Sequence, residues 1–201
     1  MASAQAPTNR PAWLLVLALA MALFGSVTVV EGLMTIRDPK AMARMTLRDV
    51  AMTPSQEEVA RKLATIADAT MARHWTAVRL HGGFSIVFGL WTLYATAAVL
   101  SRDRNGRMLA LATAVLGTAH RLAVLPFVIG VAHEMAEATG PLLTELAGGA
   151  GSAGASLAEA AQRMVIRSLV ISAAVGIGWW VLVFFYFGGR RGRELYGLPP
   201  R

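Results

Sequence analysis

The sequence predicts an all-α integral membrane protein: a four-helix bundle with an extra amphipathic helix in the first long loop. Three observations carry this. The 201 residues are 55% hydrophobic and 15% charged, with a mean hydropathy of +0.51, whereas soluble domains carry about 25% charged residues. Four apolar stretches reach the roughly 20 residues that a helix needs to cross a hydrocarbon core about 30 Å thick. Polar segments separate them. The spans fall at about 12–36, 82–100, 108–132 and 168–188, within a single membrane domain covering 1–201.

Pro11 suits a helix start, and Trp13 suits the membrane interface. From Ala12 to Val30 the first span runs 19 residues without a charge. The apolar part of a cleaved signal peptide is about 7–15 residues, so this span is expected to be retained.

The stretch 37–81 is polar. In "TPSQEE", Thr53 is an N-cap, Pro54 the first helical residue and Gln56 the partner of a capping box. Val59, Leu63, Ile66, Thr70 and Met71 then recur at helical spacing, opposite Glu58, Arg61, Lys62 and Asp68. This predicts an extramembrane amphipathic helix over about 54–76, lying at the interface or capping the bundle. No Gly or Pro interrupts 55–81, so the helix is expected to run on into the second span.

"SRDRNGR" at 101–107 is a tight polar turn that makes spans two and three an antiparallel hairpin. "GGAGSAGAS" at 148–156 reads as a flexible linker. Ser156 and Glu159 form a capping box that opens the last helix near Leu157. The short hairpin and the Gly82-Gly83…Gly89 pattern of the second span resemble, in layout, small bacterial four-span proteins of the DoxX-like type. That resemblance implies an arrangement of helices and no function.

An even number of spans puts both termini on one side. The termini and the 101–107 turn hold 8 Lys/Arg in 31 residues, against 10 in 80 for the stretches 37–81 and 133–167. The denser positive charge marks the cytoplasmic side, so both ends are expected in the cytoplasm of a cell with a plasma (inner) membrane. Two lysines against 17 arginines, with abundant Ala and Gly, suggest a GC-rich bacterial genome. The net charge of +7 is spread over loops and ends without interleaved aromatics, which argues against nucleic acid. With no cysteine, thiolate chemistry is excluded. The expected partners are the lipid bilayer and a protein partner or second copy.

Small residues let helices approach in lipid. Four-residue stripes occur at Ala18, Ala22 and Ser26, at Ser85 and Gly89, at Thr113 and Gly117, and at Ser172 and Gly176. Trp91, Tyr94, Trp179 and Trp180 lie too deep to serve only as interfacial aromatics.

The candidate site is His120-Arg121, at the middle of the third span and five residues before Pro126. A central arginine costs about 2.5–3.5 kcal/mol on insertion scales, so both side chains should face the bundle interior. Glu31 is the acid inside a span and the expected partner of Arg121. A haem b between two histidines is the redox alternative. Counted at about 1.5 Å per residue from the outer span ends, His81 and His120 differ in level by roughly 15–18 Å. Axial nitrogens must lie about 4 Å apart, which rules against that pair. His81 with His133 remains a candidate, and so does a metal at His74, His81, His133 and Glu134. No cofactor is predicted. Nucleotide-binding and hydrolase motifs are absent from the sequence. The expected role is a non-catalytic accessory subunit or small-ligand binding bundle; the alternative is a small transporter, channel or haem-b carrier.

Overall fold

The computed structural model describes residues 12–37, 54–103, 105–146 and 151–198. Six helices cover them: α1 (Ala12–Arg37), α2 (Pro54–Arg73), α3 (Trp75–Leu100), α4 (Gly106–Leu146), α5 (Gly151–Gly188) and α6 (Arg190–Leu195). No strand occurs among the described residues. Helices α1, α3, α4 and α5 are each long and apolar enough to cross a membrane, and they pack as a bundle. Large apolar side chains such as Leu19, Val87 and Phe185 stand exposed on its outside. Lipid tails are as apolar as these side chains, so that exposure carries little cost in a bilayer.

The closest pairing is α1 against α3. In α1 the buried stripe contains Leu14, Ala18, Met21, Gly25, Thr28 and Gly32. In α3 it contains Gly82, Ser85, Gly89, Thr92, Thr96 and Val99. Both alternate steps of three and four residues, which is the seam of a left-handed supercoil. The expected stripe of Ala18, Ala22 and Ser26 is corrected accordingly: Ala18 is buried, but Ser26 is exposed. Each four-residue step overshoots a 3.6-residue turn, so such a row drifts out of the contact. The pair is antiparallel, with Gly25 facing Gly89 and Gly32 facing Gly82. A Cβ on Gly32 would fall 2.6 Å from the Gly82 carbonyl oxygen, and one on Gly89 2.7 Å from that of Gly25. The backbones touch, and only glycine permits it.

Helices α4 and α5 form the second antiparallel pair, with Gly117 against Trp180 and Gly176 against Arg121. Trp91 Nε1 donates to Thr113 Oγ1 at 2.9 Å and ties α3 to α4. Buried threonines satisfy their hydroxyls within their own helices, as Thr28 does by donating to the Phe24 carbonyl at 2.8 Å. α4 continues through Pro126 and Pro141, although each proline leaves the carbonyl one turn earlier without its helical partner.

The hairpin turn matches its sequence. Asp103 accepts from the backbone N–H of Asn105 at 2.8 Å, and Arg102 takes a left-handed φ of 55°. At this end the two helix pairs close on a core of Leu14, Val99, Ala110, Trp180, Val183 and Phe187. Arg107 Nε donates to the carbonyl of Phe187 at 2.7 Å, near the end of α5. Helix α6 then folds back, and the Tyr196 hydroxyl is buried without a hydrogen-bond partner among the described residues. Burial pushes its pKa above the ordinary value, opposed by the Arg102 charge. A folded-state pKa above the unfolded one gives a contribution that is complete below about pH 10 and lost as pH rises further. In Tyr196→Phe the alkaline fall of the melting temperature should therefore be shallower than in the wild type. Identical profiles would count against this burial.

Two expectations about helix ends are corrected. The amphipathic helix does not run unbroken into the second span: α2 ends at Arg73, and His74, at φ −99° and ψ 13°, separates it from α3. The break lets α2 turn onto α4, where Arg73 and His74 both meet Glu134. Of its expected inward face Thr70 is fully buried and Leu63, Ile66 and Met71 are half-buried, joined by the buried Ala67; of the expected outer face Glu58, Arg61 and Lys62 are exposed, while Asp68 is half-buried. Thr53, its expected cap, and 148–150 of the expected linker lie outside the described residues. The rest of that linker, 151–156, is helical, because α5 opens at Gly151 and not at the Ser156 capping box. Alanine's helix propensity through Ala153, Ala155 and Ala158 offsets the glycines.

Candidate functional site

The bundle is tightly filled at the hairpin end and open in its other half. There all four spanning helices line one cavity of about 230 Å³. Helix α1 contributes Phe24, Thr28 and Glu31, and α3 contributes His81, Ser85 and Phe88. Helix α4 contributes Gly117, His120 and Arg121, and α5 contributes Ser172 and Trp180. Polar groups thus converge from four apolar helices onto one space.

His120 is held between rings. Its centroid is 4.4 Å from Phe84 and 5.2 Å from His81, and the two imidazoles are stacked within 14°. The expected 15–18 Å separation of His81 and His120 is therefore wrong. That count ran from the outer edges of the apolar segments. Both helices extend past those edges, α3 starting at Trp75 and α4 ending at Leu146. The register is set instead by the turn at the hairpin end. With Trp91 bonded to Thr113, an antiparallel count places position 81 opposite about position 123, within one turn of His120.

Arg121 lies with its guanidinium carbon 5.7 Å from the Phe24 ring centroid. Its Nε is so close to Gly176 that a Cβ there would come within 3.1 Å. Glu31 lines the same cavity, but it is exposed and makes no ion pair with Arg121 among the described residues. The expected buried Glu31–Arg121 pair is corrected: on α1, Glu31 falls level with Gly83 by the Gly25–Gly89 register, at the outer rim. Glu31→Gln should then change stability by less than about 0.5 kcal/mol, as exposed positions do. A large fall in the melting temperature would restore the buried pair.

Trp180 forms a wall of the cavity. It is 0% exposed, packs edge-on against Phe24 at 4.9 Å and Phe88 at 5.7 Å, and sits directly over Gly117. Its Nε1 and the Nδ1 of His81 are buried without hydrogen-bond partners among the described residues. Comparison with protein-family models, with curated proteins and with solved structures gives no match. The cavity is therefore read from its own chemistry.

The remaining candidates lie elsewhere. His74 Nε2 is 2.7 Å from Glu134 Oε2, and its ring meets Phe127 edge-on. With Arg73, this clasp docks α2 on α4. His133 bridges α4 and α5: Nδ1 is 2.7 Å from Gln162 Nε2, and Nε2 is 3.1 Å from Glu137. Each of these histidines is engaged with its own neighbours. Among the described residues, no three His, Cys, Asp or Glu side chains converge as a metal-ligand set. His120 and Arg121 were legible as the centre of a site because charge is conspicuous in an apolar span. Trp180 stood out in the sequence only as an aromatic too deep for the interface, and Phe24 gave no signal, being apolar among residues of the same kind.

Proposed function

We propose that this chain is a multi-pass protein of a bacterial inner membrane, with both termini cytoplasmic, that binds a small polar ligand inside its bundle as a non-catalytic accessory protein. One observation carries the reading: His81, His120 and Arg121 converge from two helices on a single cavity in an otherwise apolar bundle. Ionisable groups at that depth are expensive and mark a site by default. At about 230 Å³ the cavity lies below the roughly 300–1,000 Å³ typical of drug-sized ligands, so its occupant is small.

A second reading, a haem b carrier with His81 and His120 as axial ligands, would need both rings to turn, because their stacked planes aim the ring-nitrogen lone pairs side by side and not at one iron. The cavity volume speaks against it, since a porphyrin is itself of drug size. Absorbance of the purified protein separates the two: a Soret band would replace the small-ligand reading with the haem one.

The small-ligand reading is tested by native mass spectrometry of protein extracted from its own membranes. The wild type should carry a small-molecule adduct, and Ser172→Phe, which adds bulk to the α5 wall of the cavity, should lose it and melt at the temperature of ligand-free wild type. An adduct-free wild type, or an adduct that survives the filled cavity, would overturn the proposal.

A further inference from the structure

The hairpin end of the bundle carries a second set of chemistry, away from the cavity described above. Segments 101–107 and 189–201 hold seven arginines and two acids, so this end presents net positive charge beside apolar spans. Both acids are engaged locally. Asp103 accepts from the backbone N–H of Asn105 at 2.8 Å, and Glu194 accepts from Arg190 Nε at 2.7 Å. A hollow of about 540 Å³ lies here, lined by Arg102, Arg107, Met108, Leu195, Tyr196 and Leu198, and no acid among the described residues lines it. A neighbouring hollow shares Leu195 and is lined by Trp13, Tyr186 and Arg191, but it also contains Glu194. Arg107 is the anchored cation of the first hollow. It is half-buried, and its Nε donates to the Phe187 carbonyl at 2.7 Å. A guanidinium carries five N–H donors, so the two amino groups of Arg107 keep theirs for another acceptor. Met108, the next residue, is 63% exposed where the apolar part of α4 begins, and Leu198 is exposed as well.

A guanidinium fixed in this way suits the paired oxygens of a phosphate, and basic pockets at the ends of membrane helices hold phospholipid head groups. We propose that this hollow binds the head group of an anionic phospholipid, with Arg107 gripping the phosphate, Arg102 adding charge and an acyl chain descending past Met108. The site joins a cationic part to an exposed apolar one, and a lipid carries both kinds of group where a soluble phosphate carries one. An anionic lipid fits better than phosphatidylcholine, whose ammonium group would stand against the arginines.

The test uses the full chain in phosphatidylcholine nanodiscs with increasing phosphatidylglycerol, at about 1 M salt, where a Debye length of about 3 Å screens general surface attraction. Native mass spectrometry counts the retained lipid, and the melting temperature reports its binding. The wild type should retain phosphatidylglycerol in preference to phosphatidylcholine and melt higher as its fraction rises. Arg107→Gln should weaken that preference roughly tenfold, the value of one hydrogen bond to a charged group. Arg107→Lys keeps the charge without the fork and should recover only part of it. Arg191→Gln, in the hollow that contains Glu194, should stay within roughly twofold of the wild type under this screening. Leu198→Glu sets an acid at an exposed position and leaves the bond from Arg107 to Phe187 in place. It should abolish the preference, and it keeps the test open if Arg107→Gln does not fold. Equal losses in Arg107→Gln and Arg191→Gln would show a diffuse charge effect and overturn the site, as would an unchanged preference in Leu198→Glu. Inorganic phosphate that stabilises the protein in pure phosphatidylcholine as well as phosphatidylglycerol does would overturn the lipid assignment.

Discussion

Gly89→Leu is expected to destabilise the bundle by about 3 kcal/mol, the upper part of the usual range for overpacking, and to lower the yield of folded protein in the membrane. The first added carbon would lie 2.6 Å from Val29 Cγ2, 2.7 Å from the Gly25 carbonyl and 2.9 Å from the Val29 nitrogen. Two of those three atoms are backbone, so a rotamer change cannot relieve the clash and α1 must move away from α3. Gly32→Leu should behave alike, because its Cβ meets the Gly82 carbonyl at 2.6 Å and the Ile86 nitrogen at 2.9 Å. Gly83 is the control. It lies on the same helix next to Gly82, yet an added Cβ there meets nothing within 4 Å, and Gly83→Ala should be neutral within about 0.5 kcal/mol. Melting temperatures in nanodiscs decide the matter. Equal effects at positions 83 and 89 would show that helix propensity, and not the close approach of α1 and α3, governs these glycines.

Trp180→Ala should cost about 3–5 kcal/mol, as truncation of a fully buried aromatic does. The indole is completely enclosed and is a common neighbour of Phe24, Phe88 and Gly117, so its removal joins the cavity to a new void among three helices. Gly117→Leu attacks the same contact from the other side, since its Cβ would run into the indole itself. Trp91→Ala supplies a comparison: that tryptophan sits at the surface of the bundle, with its indole N–H bonded to Thr113. It should cost less than half as much. A smaller loss at Trp180 than at Trp91 would contradict the packing described above.

Each feature was legible to the extent that it rested on polarity. The four spans, the polar hairpin turn, the amphipathic face of α2 and the His120-Arg121 centre all depend on contrast between charged and apolar residues, which one strand of text displays. The inward faces of the spanning helices do not. Lipid and core are equally apolar, so α1 shows no hydrophobic periodicity, and its buried side is marked by residue size. Gly25 and Gly32 are the residues that matter there, and the row of Ala18, Ala22 and Ser26 looked as good on paper. Helix ends misled for a related reason. His81 and His120 were placed by the edges of apolar segments, whereas α3 and α4 continue through polar residues on both sides of those edges.

By itself, the sequence determined the class of this protein, its four crossings and the polar residues at their centre, because transfer of each segment between water and lipid is a property of composition. Only the tertiary structure decided which of those residues meet. It brought His81 onto His120, left Glu31 at the rim and set Phe24 against both Trp180 and Arg121, since register between helices is fixed by where two helices can approach: at Gly25 with Gly89, Gly32 with Gly82, and Gly117 beneath Trp180.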